Sequence, residues 1–432
     1  MEQTSTGEKI TRDELTALQE NRLVQLLSVL ENNNSFYRNH LNQVGAEFSE
    51  FHSLDNFRNF PFTTKKQLLD DQAAHAPFGT NLTFPTSHYT RYHQTSGTTG
   101  KPLKVLDTED SWQWWGKCWA SVLVAAGIDA NDRIFAAFGF GPFIGFWGAV
   151  EGARQIGALL IPGGGQSSAQ RLHLMKESAC TAVCCTPSYA MRLVEVAEES
   201  GFDLRSLPVS RTLHAGEPGA NVPATKSRIE NGWQARCFDH AGASEIGAHS
   251  FECWQNPGGT HINESEFIAE VIDPNTGDVL SPGHTGELVL TNLGRIGFPV
   301  IRYRTGDMVK LDAGVCDCGR KFIRCDGGII GRRDDMITVC GVNVYPSAIE
   351  NLLRSVTGIV EFRCTVTKKS ELDVLKIEIE TAESTDNYTA RVRMTIQKNL
   401  GLTPDVTLVD SNTLPRFDLK AKRFFDNRQT IS

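Results

Sequence analysis

The sequence lacks the features that mark membrane proteins, secreted proteins and nucleic-acid-binding proteins. It has no apolar run of membrane-spanning length, and its polar, acidic N-terminal residues contain no apolar segment of a signal peptide. A formal net charge of -8 excludes a broad basic surface for nucleic acid or anionic lipid, while a local basic pocket for a small anion is compatible with it. We therefore expect a cytoplasmic protein that binds small molecules, with no nucleic-acid partner and no membrane partner.

Internal repeats and low-complexity segments are also missing. The 432 residues, 40% of them hydrophobic, are therefore interpreted as two or three ordinary globular units. The eleven cysteines are expected to be reduced in the cytoplasm, which makes disulfides the weaker interpretation. They are either core residues, as the apolar strand pattern around Cys184 and Cys185 indicates, or metal ligands.

The spacing of apolar residues predicts an α/β protein. Leucines over residues 14–41 follow helical spacing and predict one or two amphipathic helices. Between residues 111 and 201, helical runs alternate with short apolar strands, such as those at 133–138 and 181–185. A further strand at 234–238 is predicted to lead into a loop, and ligand sites commonly lie just beyond the strand ends of such sheets.

The second half of the chain has two different patterns. Residues 267–309 are β-rich, with strands predicted at 268–272 and 287–291, and after residue 335 strands and helices alternate in a compact unit. We therefore predict a large N-terminal domain of layered sheets and helices with a β-rich subdomain, residues 1–333. A small α+β C-terminal domain, residues 334–432, completes the chain.

A glycine- and hydroxyl-rich loop reads TSGTTGKP at residues 95–102. Its glycines let the backbone turn tightly around an anion, and its hydroxyls and amides supply donors. It is not a Walker A loop, because only two residues separate Gly97 from Gly100 and Pro102 follows the lysine. The loop is predicted to bind a polyphosphate, and the alternative is a surface turn. The residues concerned are Thr95, Ser96, Gly97, Thr98, Thr99 and Gly100.

Five motifs in order give the chain a resemblance to a known family. They are TSGTTGKP at 95–102, DHAGASE at 239–245, RYRTGD at 302–307, GRRDDM at 331–336 with GVNVYP at 341–346, and PRFDLK at 415–420. Together they resemble the adenylate-forming superfamily. PFTTKKQLL at 61–69 and HAPFG at 75–79 resemble its phenylacetate-CoA ligase branch. The resemblance covers nearly the whole chain and implies ATP, Mg2+ and coenzyme A as cofactors.

The resemblance also implies roles for residues around ATP. The loop at 95–100 would hold the β- and γ-phosphates, Glu245 would bind magnesium, and Asp307, framed by Tyr303 and Arg304, would accept both ribose hydroxyls. Arg332 would contact the nucleotide. The family's usual adenine-stacking tyrosine is absent. Contacts with adenine are therefore expected from the backbone, from His240 and from the turn at residues 216–218. These further nucleotide-side residues are Gly216, Glu217, Pro218, Asp239, His240, Ala241 and Ser244. The alternatives are a helix-start glutamate at 245 and a core imidazole at 240.

The C-terminal domain is implied to be mobile. Lys420 aligns with the family lysine that stabilises charge at the α-phosphate, although Leu419 replaces the usual glycine and Lys422 lies close by. Asp334 falls at the family's hinge, and Gly341 would line the coenzyme A tunnel after the domain turns. The alternatives are a solvated tail lysine and solvated aspartates at a domain boundary.

A cluster of thiol and imidazole side chains suits structural zinc. Its members are Cys253, His261, Cys316 and Cys318, with Cys325 further along the chain. Thiolate and imidazole are the ligands of tetrahedral zinc, and four protein ligands leave no open position for catalysis. The alternative is a set of buried free thiols.

An aromatic and glycine-rich segment is predicted to bind the acyl substrate, because aromatic walls favour a flat ring. The candidate pocket residues are Phe135, Phe140, Gly141, His214, Ala215 and Gly242. The alternative for any single aromatic residue is core packing.

The predicted function is an ATP-dependent aryl-CoA ligase that forms an acyl adenylate, releases pyrophosphate and transfers the acyl group to coenzyme A. Phenylacetate, benzoate and amino- or hydroxybenzoate are the acids considered. One rival is a freestanding adenylation enzyme that loads an acyl carrier protein. The other is a nucleotide-binding regulator without catalysis, which the joint presence of Glu245, Asp307 and Lys420 disfavours. A homodimer is left open.

Overall fold

The computed structural model describes residues 10–95, 101–312, 314–369, 372–381, 387–417 and 421–428. Its α-helices are α1 (Arg12–Asn33), α2 (Ser35–Asn42), α3 (Leu54–Phe57), α4 (Lys65–Ala74), α5 (Glu109–Ala125), α6 (Trp147–Ile156), α7 (Ser168–Glu177), α8 (Pro187–Ser200), α9 (Pro223–Trp233), α10 (Pro346–Ser355) and α11 (Tyr388–Leu400). Among the described residues, no helix is both long and apolar enough to cross a membrane.

The strands are β1 (Tyr89–Gln94), β2 (Lys104–Thr108), β3 (Arg133–Ala136), β4 (Leu159–Pro162), β5 (Ala182–Cys185), β6 (Arg211–His214), β7 (Arg236–Ala243), β8 (Gly247–Glu252), β9 (Gly259–Ile262), β10 (Phe267–Ile272), β11 (Thr285–Asn292), β12 (Tyr303–Asp312), β13 (Arg324–Asp326), β14 (Gly331–Arg332), β15 (Ile337–Val339), β16 (Val342–Val344), β17 (Ile359–Lys369), β18 (Leu372–Thr381), β19 (Asp405–Leu408) and β20 (Phe424–Asp426). Short 3-10 helices lie at Phe48–Glu50, Thr86–His88, Leu204–Ser206 and Arg333–Asp335.

One or two N-terminal helices were predicted, and two are observed, which cover one edge of the large sheet. Helix α1 begins with a capping box at Thr11, and Asn34 separates it from α2. The Asn34 side-chain oxygen accepts a backbone N–H in the first turn of α2. From α1, the buried Gln19 amide donates to the Phe267 carbonyl of β10 at 2.9 Å, so a backbone group of the outer strand is satisfied by a side chain.

A twelve-stranded sheet forms the large domain, in the order β10-β11-β12-β13-β9-β8-β7-β6-β5-β3-β4, with β14 paired to β12. Strands β4, β3, β5, β6 and β7 are parallel, and helices α6 to α9 follow or connect them in sequence, which confirms the predicted α/β class. The remaining strands pair antiparallel. At the outer edge, β4 has four residues and ends at Pro162, which has no N–H to offer a further strand.

Strand β7 differs from the prediction, because it continues to Ala243 where a loop was expected from residue 239. Its parallel pairing with β6 ends at Asp239. From His240 the strand pairs antiparallel with β8 instead, and the register shifts between Ala241 and Gly242. The polar and glycine-rich sequence gave no sign of this because it resembles a turn.

Side chains of the parallel strands alternate between two hydrophobic cores. On β5, Cys184 packs in the core shared with α5 and α6, whereas Cys185 packs in the core formed with α7, α8 and α9. Both thiols are buried and unbonded to other cysteines, as the sequence predicted. Phe135 on β3 packs on the Cys185 side and is fully buried.

The small domain has its own sheet, β19-β18-β17-β20, and its own core, which confirms the predicted α+β unit. Helices α10 and α11 contribute Ile349, Leu353 and Val392 to that core. The β15–β16 hairpin turns at Cys340 and Gly341, which have φ of +49° and +81°. Two positive φ values are what a two-residue type I′ turn requires. The boundary between residues 333 and 334 stays a prediction.

Candidate active site

The residues that flank the hydroxyl-rich loop, Thr95 and Leu103, are hydrogen-bonded to each other. The Thr95 amide donates to the Leu103 carbonyl at 2.9 Å, and the Leu103 amide donates to the Thr95 hydroxyl at 3.0 Å. Thr95 is buried, and its hydroxyl therefore closes the loop. The other predicted phosphate-binding residues, Ser96, Gly97, Thr98, Thr99 and Gly100, lie outside the described residues.

Glu245 lies buried at the junction of the two halves of the sheet. The Tyr303 hydroxyl donates to Glu245 Oε1 at 2.9 Å, and the Lys65 ammonium lies 3.4 Å from the same oxygen. Burial, and then the charge of Glu245, raise the pKa of Tyr303 well above its usual value. The tyrosine is therefore a neutral donor that orients the carboxylate.

A buried ion pair holds the backbone that carries Glu245. Arg295 donates to both carboxylate oxygens of Asp107 on β2, at 2.7 Å each, and both side chains are fully buried. A third bond runs from Arg295 to the Ser244 carbonyl at 2.7 Å. The predicted residue Ser244 thus offers its carbonyl to this guanidinium, which fixes the residue next to Glu245.

Asp307 and Arg332 lie opposite each other on β12 and β14. The Arg332 guanidinium donates to Asp307 Oδ1 at 3.0 Å. The pKa of Asp307 is raised to about 6, chiefly by burial. The charge of Arg332 acts to lower this pKa, and the charge of Glu245 acts to raise it. Arg304, which the sequence placed beside Asp307, instead donates to Glu287 at 3.1 Å. Arg332 is the arginine that contacts this carboxylate.

Asp239 and the turn Gly216-Glu217-Pro218 lie where the parallel pairing of β6 with β7 ends. Gly216 has φ of +96°, the left-handed region that favours glycine. Burial and the neighbouring carboxylate of Glu252 raise the pKa of Asp239 to about 7. The carboxyl-terminal ends of the two parallel segments therefore place polar groups at one edge of the sheet.

Asn221, which the sequence did not single out, clamps this edge from the other side. Its amide donates to the Gly327 and Ile329 carbonyls at 3.1 and 2.6 Å. Gly328 is thereby held over Asp239, where a Cβ would lie 3.2 Å from Asp239 Oδ2. The clamp joins the β6–α9 loop to the segment that precedes β14.

A continuous series of aromatic rings connects residues 138–147 to the end of β7. In order, the rings are Trp147, Phe140, Phe138, Phe146, Trp119 and His240, with centroid separations of 4.7, 5.1, 4.2, 6.0 and 4.5 Å. Gly141 is exposed, and its carbonyl accepts from Trp147 Nε1 at 3.0 Å. The His240 Nδ1 contacts the Ser250 carbonyl at 2.5 Å. Burial lowers the pKa of His240 to about 4, so the imidazole is neutral.

Ala241 and Gly242 follow His240 on β7. Ala241 is buried, whereas Gly242 is exposed. A Cβ on Gly242 would lie 2.9 Å from the Gly247 carbonyl and 3.5 Å from His240 Nε2, so the backbones approach closely only because this residue is glycine. The bulge therefore leaves an open backbone surface beside the ring series.

Two predicted pocket residues lie deeper than expected. Phe135 is fully buried in the core formed with α7 to α9, and a Cβ on Gly163 would lie 2.6 Å from its ring. It does not belong to the ring series, because β3 points it toward the opposite face of the sheet from Ala136. His214 is also fully buried, with Nδ1 3.1 Å from the Cys185 carbonyl. Ala215, next to it, is partly exposed.

The small domain meets this edge near its C-terminal end. The Ala421 amide donates to the Glu217 carboxylate at 2.6 Å, and the Lys422 ammonium lies 5.3 Å from the centre of the Phe425 ring. Lys420 lies outside the described residues. Asp334 is exposed in the 3-10 helix between the domains, and Gly341 is exposed at its hairpin turn, where a Cβ would have no neighbour within 4 Å among the described atoms.

The four predicted zinc ligands come together in the structure. Their ligand atoms all lie within 4.8 Å of one another. Cys253 Sγ is 3.6 Å from Cys316 Sγ, and Cys318 Sγ is 3.5 Å from His261 Nε2. The other imidazole nitrogen, Nδ1, lies 3.1 Å from the Phe322 carbonyl, which favours a proton there and leaves Nε2 free to bind metal. Cys325 is outside this cluster.

The contacts bring together residues that sequence reasoning missed. Lys65, Asn221 and Arg295 each touch a predicted site residue or its backbone. Lys65 stands in a segment that the sequence marked only as typical of a family branch. Nothing in the local sequence distinguishes Arg295 or Asn221, because their partners are far apart along the chain.

Comparison with known proteins gives the family. Residues 92–294 match the model of the AMP-binding enzyme, and residues 341–428 match that of the AMP-binding enzyme C-terminal domain. A phenylacetate-coenzyme A ligase of Thermus thermophilus is 32% identical, over 98% of this chain and 98% of its own. The one from Escherichia coli is 33% identical, over 97% of this chain and 96% of its own. The chain belongs to the phenylacetate-CoA ligase family.

Solved structures agree with this membership. The crystal structure of 2-hydroxyisobutyryl-CoA ligase in the postadenylation state, in complex with 2-HIB-AMP, has a TM-score of 0.93 and 30% identity, with 98% of this chain and 91% of that chain covered. The same ligase with 2-HIB-AMP and CoA in the thioesterification state gives a TM-score of 0.75. As a member of the phenylacetate-CoA ligase family, the protein is an AMP-forming acid–CoA ligase that uses ATP and proceeds through an acyl adenylate.

Proposed function

We propose that the acid activated by this ligase is aromatic, of the phenylacetate, benzoate or amino- or hydroxybenzoate type. The observation that carries the proposal is the ring series from Trp147 to His240, which ends beside the open backbone at Gly242. Aromatic side chains with few polar groups among them suit an aromatic ring. Phe140, Gly141, His214, Ala215 and Gly242 are retained as the proposed pocket. Phe135 is left out because it is a core residue.

A small hydroxylated aliphatic acid is the second candidate. It is favoured by the high structural similarity to 2-hydroxyisobutyryl-CoA ligase. His214 Nε2 is buried and has no hydrogen-bond partner among the described atoms, so a polar group on the acid could use it. Burial lowers the pKa of His214 to about 3, which keeps the ring neutral.

The proposed chemistry has two half-reactions. In the first, the substrate carboxylate attacks the α-phosphate of ATP, a P–O bond forms, and pyrophosphate leaves; in the second, the coenzyme A thiol displaces AMP. Residues 95–100 would hold the departing phosphates, and Asp307 would accept the ribose hydroxyls while Arg332 orients its carboxylate. Asp239, His240, Ala241, Ser244 and the 216–218 turn would surround the adenine.

Glu245 is proposed to hold the magnesium ion that accompanies ATP. A carboxylate oxygen is the donor type that magnesium prefers, and the Tyr303 hydroxyl and the Lys65 ammonium converge on the same oxygen and fix its direction. Bound there, the ion would neutralise charge on the phosphates. The ion pair of Arg295 with Asp107 contributes by holding the Ser244 carbonyl in place.

Lys420 is proposed as the residue that stabilises charge at the α-phosphate. Its nearest rival, Lys422, has its ammonium over the Phe425 ring of the small domain itself. Ala421, between the two lysines, is bonded to Glu217 at the nucleotide edge of the large domain. The contacts of Ala421 and Lys422 therefore support Lys420 over Lys422.

The domain orientation is proposed to be the one used for adenylation. The TM-score of 0.93 against a postadenylation state, compared with 0.75 against a thioesterification state, supports this. Rotation at Asp334 would then move Gly341 toward the acyl adenylate to line the coenzyme A tunnel. The domains would divide between residues 333 and 334.

The cysteine and histidine cluster is proposed to bind structural zinc. In a tetrahedral site, Zn–S bonds of about 2.3 Å place sulfurs about 3.8 Å apart. The Cys253–Cys316 separation of 3.6 Å fits this value. Because four protein ligands fill the coordination sphere, the metal would tie β8, β9 and the loop before β13 together and take no part in the chemistry.

An acid panel tests the proposed substrate. We expect thioester and AMP in equal amounts with ATP, magnesium, coenzyme A and an aryl acid, at a higher kcat/KM than with 2-hydroxyisobutyrate. The measurement is chromatography of AMP and thioester over a series of acid concentrations. A higher kcat/KM with 2-hydroxyisobutyrate would overturn the aromatic assignment. Thioester formed only on an added carrier protein would favour the carrier-loading alternative.

The lysine assignment is tested by separating the half-reactions. Lys420→Ala should slow acyl-adenylate formation by about 10²- to 10³-fold, the usual effect of losing one group that stabilises transition-state charge. Thioester formation from supplied acyl adenylate should stay near the wild-type rate. Lys422→Ala is the matched control and should leave both steps intact. The reverse pattern for the two variants would assign the role to Lys422.

The role of Asp307 predicts a pH dependence. With a pKa of about 6, the carboxyl is ionised at pH 7.5 and largely protonated at pH 5.5. Since only the ionised form accepts from both ribose hydroxyls, adenosine should bind about fourfold more weakly at pH 5.5. Calorimetry with adenosine avoids the titration of phosphate. Asp307→Asn should bind weakly at both pH values, and an unchanged pH dependence in this variant would contradict the assignment.

Zinc binding is tested by metal content. Protein purified without chelators should contain about one zinc per chain by elemental analysis, as a four-ligand site holds one ion. Cys316→Ser should lose the metal and unfold at a lower temperature. Cys325→Ala, a buried thiol outside the cluster, should retain zinc. Wild-type protein that contains no zinc after growth in zinc-supplemented medium would refute the site.

A further inference from the structure

The Glu217 carboxylate bridges the two domains. Its Oε1 accepts from the Ser188 amide at 2.8 Å, and its Oε2 accepts from the Ala421 amide at 2.6 Å. Ser188 belongs to α8 of the large domain, and Ala421 belongs to the C-terminal segment of the small domain. Ala421 directly follows Lys420 in the chain. One side chain therefore connects the large domain to the residue next to the proposed catalytic lysine.

The large-domain end of this bridge is well suited to a carboxylate. Ser188 is the second residue of α8, in the first turn, where backbone N–H groups have no partner within the helix. The positive end of the helix dipole attracts negative charge at the same place. Burial raises the pKa of Glu217, while the bonds from Ala421 and Ser188 lower it. A negative side chain is thus accommodated in a partly enclosed position.

A second contact lies two residues beyond Ala421. Arg423 binds both carboxylate oxygens of Glu361 within the small domain, at 2.6 and 2.8 Å, and also donates to the Ser188 hydroxyl at 3.1 Å. Ser188 therefore donates through its amide to Glu217 of the large domain and accepts through its hydroxyl from Arg423 of the small domain. Together, Glu217 and Arg423 hold the segment 421–423 against the start of α8.

Further contacts join the two domains around a cavity. Arg228 on α9 donates to the Val356 and Ile359 carbonyls at 3.2 and 2.6 Å. A cavity of about 760 Å³ lies between α8 and α9 on one side and α10 and the start of β17 on the other, lined largely by polar and charged side chains. Hydrogen bonds such as those of Glu217 and Arg228 therefore contribute to where the small domain lies against the large one.

We infer that Glu217 is a positioning residue for the adenylation half-reaction, which directs Lys420 to the reacting phosphate by holding the Ala421 backbone against the start of α8. The inference rests on the proposed role of Lys420. Since the carboxylate is occupied by Ser188 and Ala421, only the backbone of the 216–218 turn remains for the adenine. The bridge must open when the small domain rotates, so it acts in the first half-reaction alone.

The test measures each half-reaction in Glu217→Ala, Glu217→Gln, Lys420→Ala and the double variant Glu217→Ala/Lys420→Ala. Glu199→Ala, on the exposed face of α8, is the matched control. Acyl-adenylate formation in Glu217→Ala should fall by roughly 10- to 100-fold, as expected for a displaced catalytic group. The Kd for ATP and thioester formation from supplied acyl adenylate should not change, and the latter also reports that the variant is folded. Glu217→Gln should fall between Glu217→Ala and wild type.

The double variant distinguishes positioning from other roles. If Glu217 acts through Lys420, the double variant should be no slower in adenylation than Lys420→Ala alone. Additive losses, equal losses in both half-reactions, or a weaker Kd for ATP with unchanged adenylation rate would each overturn the inference. If Lys420→Ala itself keeps the wild-type rate, the proposed role of the lysine fails instead. A normal Glu217→Ala beside a slow Lys420→Ala rejects the inference and spares the proposed function.

Discussion

Strand β7 has two different neighbours, and the arrangement of the site depends on this constraint. Its first half pairs parallel with β6, which places Asp239 at the strand end that also carries His214 and the 216–218 turn. Its second half pairs antiparallel with β8, which carries the chain on to Glu245 next to β12. A strand that ended at Asp239 would leave Glu245 without the register that brings it to Tyr303. The change of partner therefore joins the two halves of the sheet at the proposed nucleotide site.

The buried charges at this junction have hydrogen-bond partners of opposite charge. Isolated buried ions cost several kcal/mol, so such groups persist only when their hydrogen bonds are complete. Arg295 meets that condition with Asp107 and the Ser244 carbonyl, and Asp307 meets it in part with Arg332. This difference agrees with the proposed functions of the two carboxylates. The Asp107 carboxylate has both oxygens bonded to Arg295, whereas the Asp307 carboxylate has a raised pKa and can accept further hydrogen bonds, as from a ribose.

Helices and strands were predicted well where the apolar residues follow a single regular spacing. The strand that contains Cys184 and Cys185 was predicted at 181–185 and is observed at Ala182–Cys185. The extension of β7 was missed because its polar and glycine residues resemble a turn, and pairing with a distant strand overrides that tendency. Phe135 was placed in a pocket because sequence does not tell which face of a central strand meets the ligand.

The candidate site could be predicted from the sequence only in part. Motif residues such as Glu245, Asp307 and Arg332 do come together, and each lies in a short motif that can be recognised in the sequence. The supporting residues Asn221 and Arg295 could not be found this way. Their partners lie between 51 and 188 residues away in sequence, and only the folded backbone brings them together.

The ends of the twelve-stranded sheet restrict how copies of this chain could associate. A row of unpaired backbone groups along an outer strand is a template on which another chain can add a strand. Here β4 is only four residues long and finishes in Pro162, while the Phe267 carbonyl of β10 is already taken by Gln19 from α1. Lateral growth of this sheet from one molecule into the next is thus disfavoured at both edges. A homodimer would have to join through helices, loops or the small domain.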